Sequence, residues 1–186
     1  MKIILWCLLF AILSPAGQLT NKPTHSFRII PIPKGETGYS NFASVAIMSK
    51  HDMDSFLSSI STQIGWNNRQ EFERALLNAK LDFSKEALLL LRHSEGSSSV
   101  KVTFEKPILQ DRKLICEIRG RPIPPGYGAT ADMAYYCFAV VVSKSAVSQV
   151  ELRAVEGGFS ERRLAPIVFP ITETAASHKL LHRPAR

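Results

Sequence analysis

Histidine is the residue type whose spacing in this sequence most invites chemistry, and the chain has five. His178 and His182 have the i, i+4 spacing with which one helix face can hold a metal ion. Because Lys179 and Arg183 lie beside them and repel a cation, we predict no metal site there. His51 is followed by two aspartates that could form an acid–base cluster with it. Carboxylates at the start of a helix also stabilise its dipole, and that is the role we expect here.

Motifs of covalent or phosphate chemistry do not occur in the sequence. A nucleophile elbow requires Gly-x-Ser-x-Gly, and the nearest approach, residues 158–162 (GFSER), lacks the second glycine. A P-loop, a GxGxxG fingerprint and the zinc motif HExxH are also missing. We therefore predict a protein that is not an enzyme and that has no cofactor or metal ion.

The N-terminal residues have the pattern of an export signal. After Lys2, residues 3–13 form an uninterrupted apolar run, which is shorter than the roughly 20 residues that a membrane-spanning helix needs. Ser14 and Ala16 then supply the small residues that precede a cleavage site. We predict that residues 1–16 are a cleaved signal peptide. The rest of the chain is then periplasmic or extracellular, with no stable membrane insertion.

Export changes the expectation for the cysteines. Cys7 lies within the apolar run and leaves with it, so that Cys116 and Cys137 remain. In an oxidising compartment these two can form a disulfide, and closing the loop between them would contribute about 3 kcal/mol. Two buried free thiols on neighbouring strands are the alternative, and the sequence leaves both open.

Composition describes an ordinary folded domain. Of the 186 residues, 45% are hydrophobic and 21% are charged, which excludes disordered, fibrous and multi-span membrane proteins. The formal net charge is +7, but no block of five like charges occurs. We therefore interpret the basic balance as solvated surface and predict no nucleic-acid partner.

The first elements are two strands followed by two helices. Residues 26–33 predict an edge strand, because Pro31 and Pro33 cannot donate to a ladder, and residues 42–48 predict a second strand. Residues 50–64 repeat apolar side chains at helical spacing, with Ser49 placed to cap the helix. A second helix begins at Asn67 or Asn68 and continues to about Ala79.

The pattern then changes to that of strands. A continuous apolar run over residues 86–92 predicts a central strand that is covered on both faces. Alternating patterns predict further strands over residues 99–105, 112–119 and 147–153. A strongly apolar run predicts another strand over residues 135–143, and residues 165–171 predict a short edge strand.

Together these elements predict an α+β fold with two helices packed on a mainly antiparallel β-sheet. We expect a single domain over residues 26–156, with its β-rich part at residues 81–153. Residues 172–186 predict a basic, poorly ordered tail.

Two stretches of the sequence resemble a known family. Residues 81–86 (LDFSKE) lead directly into an apolar strand, and residues 124–144 combine a Pro/Gly loop with an aromatic-led strand that ends on Lys144. Both stretches are similar to the PrcB family of protease-complex subunits, and the resemblance is firmest over residues 81–144. It implies an exported, non-catalytic protein that binds and stabilises another secreted or envelope protein, a protease in that family.

The family places a motif with a Thr-Gly-Gly-Tyr core between the first two strands of its domain. Residues 93–98 (HSEGSS) take that place here, with one glycine and no tyrosine. We expect partner binding through exposed loops around residues 93–99 and 120–132, using the side chains of His93, Glu95, Ser97, Arg121 and Tyr127.

A binding protein for a small molecule is the alternative function. It would be periplasmic and would hold a small apolar or anionic ligand between the helices and the sheet.

Overall fold

A computed structural model describes residues 26–158 and 161–171. The predicted signal peptide at residues 1–16 and the predicted tail at residues 172–186 lie outside the described residues. The described chain forms three layers, which are a helical layer, a first sheet and a second sheet. The expected α+β class with mainly antiparallel pairing is confirmed, but the strands are divided between two sheets.

The helical layer contains a 3-10 turn (Thr37–Asn41) and the helices α1 (Lys50–Ser61) and α2 (Arg69–Asn78). The strands are, in chain order, β1 (Phe27–Ile30), β2 (Val45–Ile47), β3 (Glu86–Glu95), β4 (Lys101–Phe104), β5 (Ile108–Gln110), β6 (Lys113–Arg121), β7 (Ala134–Ser143), β8 (Gln149–Glu156), β9 (Arg162–Arg163) and β10 (Ile167–Pro170).

The first sheet has the order β1-β7-β3-β2 and is antiparallel throughout. As predicted, β3 is a central strand that is buried on both faces. Leu88 and Leu90 pack with the helical layer, whereas Leu89 and Leu91 pack against the second sheet. The position of β1 at the edge is also confirmed, and Pro31 ends the strand there.

The second sheet has the order β10-β8-β6-β4, with β5 also paired to β6 and β9 to β8. Strands β6 and β8 are parallel, because the chain leaves this sheet after β6, passes through β7 in the first sheet and returns. The predicted edge strand near the end of the fold is confirmed as β10. The fold thus continues past residue 156 to Ile171, which is buried between the two sheets.

Helix α1 begins with the predicted cap, and aromatic side chains pack the helical layer against the first sheet. The backbone N–H of Asp52 donates to Ser49 Oγ at 3.1 Å, and Asp52 Oδ2 accepts from the N–H of Met48 at 3.0 Å. Edge-to-face and stacked rings then fill the space between the helices and the first sheet, and they belong to Tyr39, Phe42, Phe56, Trp66 and Phe72. The interior position in which the alternative function would hold a ligand is therefore occupied by side chains.

The two cysteines are free, and the disulfide considered above is not formed. Cys137 lies on the face of β7 that packs with the helical layer, whereas Cys116 points from β6 into the core between the two sheets. They are therefore on different sheets, not on neighbouring strands, and a layer of β-sheet separates their environments. Burial raises the pKa of the Cys116 thiol to about 12 and also raises the pKa of Cys137 above its usual value.

We predict that iodoacetamide labels both Cys116 and Cys137 when the protein is unfolded without a reductant, because neither thiol is in a disulfide. In the folded protein neither should react, since both thiols are buried and protonated. Peptide mapping by mass spectrometry measures the label at each position. Recovery of a disulfide-linked pair of peptides would contradict this arrangement.

Candidate interaction surface

The two loops that the sequence singled out meet at one end of the molecule. Thr130 Oγ1 lies 2.9 Å from the hydroxyl oxygens of both Ser97 and Ser98, and the hydroxyl of Ser98 donates to Asp132 Oδ1 at 3.0 Å. Hydrogen bonds from Thr130 and Ser98 hold the pKa of the Asp132 carboxyl below its usual value. We call residues 96–99 and 122–133 together the loop surface.

The longer loop projects from two anchored ends. At its start Ile123 is buried and its N–H donates to the carbonyl of Gly158 at 2.7 Å, and at its far end Thr130 makes the contacts described above. Between these anchors residues 124–129 are exposed. Tyr127 is 71% exposed and Met133, at the end of the loop, is 55% exposed.

A tight turn fixes the direction of Tyr127. Its N–H donates to the carbonyl of Pro124 at 3.2 Å, and Gly126, the third residue of the turn, has a φ of +87°. Proline in the second position and a positive φ in the third define a type II turn, in which glycine is strongly favoured. The sequence Pro-Pro-Gly-Tyr therefore sets the turn locally.

A cleft of about 250 Å³ lies beside the loop surface. It is bordered by the start of β7, by Ser98 and by the turn between β1 and the 3-10 helix, and its lining residues are Gly35, Glu36, Thr37, Ser98, Met133, Ala134, Tyr135 and Tyr136. The hydroxyl of Tyr136 donates to the carbonyl of Val100 at 3.2 Å. Burial, followed by the nearby carboxylates of Glu95 and Asp132, raises the pKa of Tyr136. This ring is therefore fixed in place and uncharged.

The exposed loop expected over residues 93–99 begins later than predicted. Strand β3 continues through Glu95, and His93 and Glu95 pair with Tyr136 and Ala134 of β7. Their side chains share the face of Leu89 and Leu91, which points to the second sheet, and they are 3% and 2% exposed.

The predicted contact residues therefore divide into two groups. His93, Glu95 and Ser97, which is 6% exposed, are interior and do not offer their side chains to a partner. Arg121 and Tyr127 are exposed at this end of the molecule, so that a role in binding stays a prediction for them.

A buried hydrogen-bonded pair lies directly beneath the loop surface. His93 Nε2 is 2.6 Å from Glu95 Oε1, and the N–H of Gly157 donates to both carboxylate oxygens of Glu95 at 3.1 Å. A buried carboxylate is tolerated when its oxygens accept such hydrogen bonds. The pair could serve acid–base chemistry only if a substrate reached it. Both side chains are buried, so that a substrate at the surface does not contact them. It ties the end of β3 to the segment that follows β8.

Two glycines beside this pair have no room for a side chain, and one of them, Gly120, leaves the space that Glu95 occupies. A Cβ on Gly120 would overlap the Glu95 carboxylate and lie 2.6 Å from the nitrogen of Gly157. A Cβ on Gly157 would lie 2.6 Å from Val100 Cγ1 and 2.8 Å from the carbonyl oxygen of Arg121. Only glycine fits at either position without a shift of the backbone.

The first resembling stretch and Lys144, where the second one ends, lie at the opposite end of the first sheet, whereas the Pro/Gly loop of the second stretch belongs to the loop surface. Asp82 Oδ1 accepts hydrogen bonds from the N–H and the hydroxyl of Ser84, which forms a turn into β3. Lys144 Nζ donates to the carbonyl of Phe83 at 2.7 Å and to the carbonyl of Met48 at 3.1 Å. The two resembling stretches are thus in contact, and they stabilise the start of β3.

Three comparisons were made with this fold and sequence. No family model, no curated protein and no solved structure matches the chain. The resemblance to the PrcB family therefore stays a prediction.

Two further properties concern the described residues. No helix in the described part of the chain combines the length and the apolar character that crossing a bilayer requires. Within residues 26–158 and 161–171 there is also no group of three or more His, Cys, Asp and Glu side chains placed to hold a metal ion. His178 and His182 lie outside these residues.

The sequence did not identify every residue of this surface. Residues 34–38 were predictable as a turn from their glycines, but nothing local placed Glu36 beside β7. That placement depends on the pairing of β1 with β7, which joins segments that are more than 100 residues apart. Met133 follows the Pro/Gly loop without a pattern that distinguishes a surface residue from a core residue.

We predict that Gly157→Ala lowers the free energy of unfolding by about 1–3 kcal/mol, because the new methyl group overlaps Val100 and the Arg121 backbone. Gly96→Ala is the matched control. Its Cβ meets no atom within 4 Å, and it should change stability by less than about 0.5 kcal/mol. Urea unfolding followed by circular dichroism measures both. Equal effects of the two substitutions would mean that Gly157 is not tightly packed against Val100 and the Arg121 backbone.

Proposed function

We propose that this protein is an exported, non-catalytic interaction protein that binds and stabilises another secreted or envelope protein. A protease is the partner class that the PrcB resemblance implies. One observation carries the proposal, which is that two loops distant in sequence are joined by Ser97, Ser98, Thr130 and Asp132 into a single surface.

The composition of the loop surface supports a protein partner. Tyr127 and Met133 are exposed, and tyrosine and methionine are enriched where protein interfaces form. Loops that carry binding residues are usually held by a rigid scaffold. Here the buried pair of His93 and Glu95 and the fixed ring of Tyr136 supply it.

Rigidity also lowers the cost of binding. A loop that is already held at both ends loses little conformational entropy when a partner binds. The type II turn at Gly126 and the hydrogen bonds of Thr130 restrict the loop before any contact is made.

The cleft supports the same proposal, because its volume of about 250 Å³ is below the roughly 300–1,000 Å³ of small-molecule pockets.

We predict that the exported protein begins at Gly17. The full chain, with its own N-terminus and a C-terminal tag, would be expressed in its native host, and the intact mass of the protein outside the cytoplasm would be measured. The expected mass lacks residues 1–16, because Ser14 and Ala16 direct the cleavage. A full-length protein confined to the cytoplasm would contradict the export part of the proposal.

Affinity capture of the same tagged chain tests the partner. We predict that one exported protein co-purifies in stoichiometric amount and that the complex forms again from the two purified proteins. The double variant Tyr127→Ala with Met133→Ala should weaken this complex at least about tenfold, because exposed tyrosines often dominate binding.

Ile64→Ala is the matched control for that variant. Ile64 is also an exposed apolar side chain, at 97% exposure, but it lies in the connection between α1 and α2. It should leave the affinity unchanged. Equal losses from both variants would contradict the assignment of the loop surface, and a chain that purifies alone would contradict the proposed function.

A further inference from the structure

The exposed part of the longer loop contains a short segment of two prolines, a glycine and a tyrosine, residues 124–127, which we call the ridge. Residues 124–127 (PPGY) are exposed, and their side chains are two pyrrolidine rings and one phenol ring. We propose that this ridge is bound by a partner protein through a groove lined with aromatic side chains, of the kind that binds proline-rich segments. The inference rests on the proposed function and specifies the chemistry of the partner.

The backbone of the ridge already has the conformation that such grooves bind. Pro124 precedes another proline, which restricts it to the extended or polyproline II region. Pro125 occupies the second position of the type II turn, where φ and ψ are about −60° and +120° and therefore close to polyproline II. Gly126, with its φ of +87°, then reverses the chain. Two consecutive residues are thus held in a polyproline II conformation at the tip of an anchored loop.

The hydrogen-bonding capacity of the ridge also favours recognition through rings. Neither proline has a backbone N–H, and the N–H of Tyr127 is already donated to the carbonyl of Pro124. A partner strand that adds to a sheet needs donors and acceptors in alternation, which this segment lacks. Aromatic-lined grooves bind proline segments through the faces of the pyrrolidine rings and need few backbone donors.

The position of the ridge makes it accessible. Its base is held by the buried Ile123 and its far end by Thr130, so that residues 124–129 stand clear of the sheets. Tyr127 projects beside the prolines at 71% exposure. A concave groove can therefore reach both prolines and the phenol ring at once, and the loop pays little ordering entropy because it is already folded.

The first test uses a purified WW domain as the probe, since its groove of aromatic side chains binds proline-rich segments. The full chain is titrated into the probe, and the fluorescence of the groove tryptophan is recorded. We expect saturable binding that weakens at least tenfold in Pro125→Ala and in Tyr127→Ala. No binding up to about 1 mM, or binding that these substitutions leave unchanged, would overturn the proposal.

Matched variants separate ring contacts from general damage to the loop. Gly126→Ala keeps all three rings but strains the turn at its positive φ, and it should also weaken binding. Pro166→Ala removes an exposed proline that lies before β10 and outside the loop surface, and it should have no effect. Thermal unfolding of each variant confirms that the fold is retained.

The captured native partner distinguishes a failure of this inference from a failure of the proposed function. If Pro124→Ala with Pro125→Ala weakens the native complex as much as Tyr127→Ala does, the ridge is the element that is recognised. If only the change at Tyr127 and Met133 matters, the loop surface binds through its apolar side chains and the proline inference is wrong. A complex that ignores all of these changes would contradict both.

Discussion

Burial of β3 on both faces is the constraint on which the rest of this structure depends. A strand whose side chains are apolar on both sides must be covered on both sides, because each exposed face would leave leucines in water. In this chain Leu88 and Leu90 require the helical layer, and Leu89 and Leu91 require the second sheet. Along one edge of the strand, ten residue pairs with β7 provide partners for its backbone. The three-layer arrangement follows from a single apolar run.

The same strand determines how the end of the molecule that carries the loop surface is built. Beyond Leu91 the face toward the second sheet continues with His93 and Glu95, so that polar groups enter the interior where the two sheets close. An unpaired carboxylate in that position would be strongly destabilising. The N–H of Gly157 and the ring of His93 compensate it, and the absence of a Cβ on Gly120 leaves the room that it needs. The loops that follow β3 and β6 therefore begin at a rigid part of the fold.

The fold was predictable to the extent that local patterns determine it. Helical spacing located α1 and α2, apolar runs located β3 and β7, and alternation located β4, β8 and the inward face of β6. Alternation describes the two faces of one strand, however, and not the sheet to which the strand belongs. For that reason the division into two sheets and the parallel pairing of β6 with β8 were not foreseen.

The errors at the candidate site have the same origin. His93, Glu95 and Ser97 were expected in an exposed loop because polar residues beside a glycine are typical of turns. Glu95 is held in the interior by Gly157, 62 residues away, and Ser97 contacts Thr130, 33 residues away, so no local pattern contains this information. The sequence also left the pairing of Cys116 and Cys137 open, since their spacing does not reveal that they face separate cores. Residues 122–132 were identified correctly as a loop because their prolines and glycines act locally, but Gly120 and Arg121, which were expected in this loop, continue strand β6.

The separation of the two ends of the first sheet also defines what the family resemblance can imply. The resembling residues Asp82, Ser84 and Lys144 hold the turn into β3 at one end. The loop surface, which includes the Pro/Gly loop of the second resembling stretch, lies at the other end, where β3 reaches Glu95 and β7 begins. Residues that stabilise the start of a central strand can be shared by proteins that bind different partners, because they do not contact the partner. At the loop surface a serine-rich turn contacts Thr130, at the place where the PrcB family has a glycine-rich motif. On the proposed function, partner choice would depend on these loops, and the rigid base beneath them would allow the loops to differ without loss of the fold.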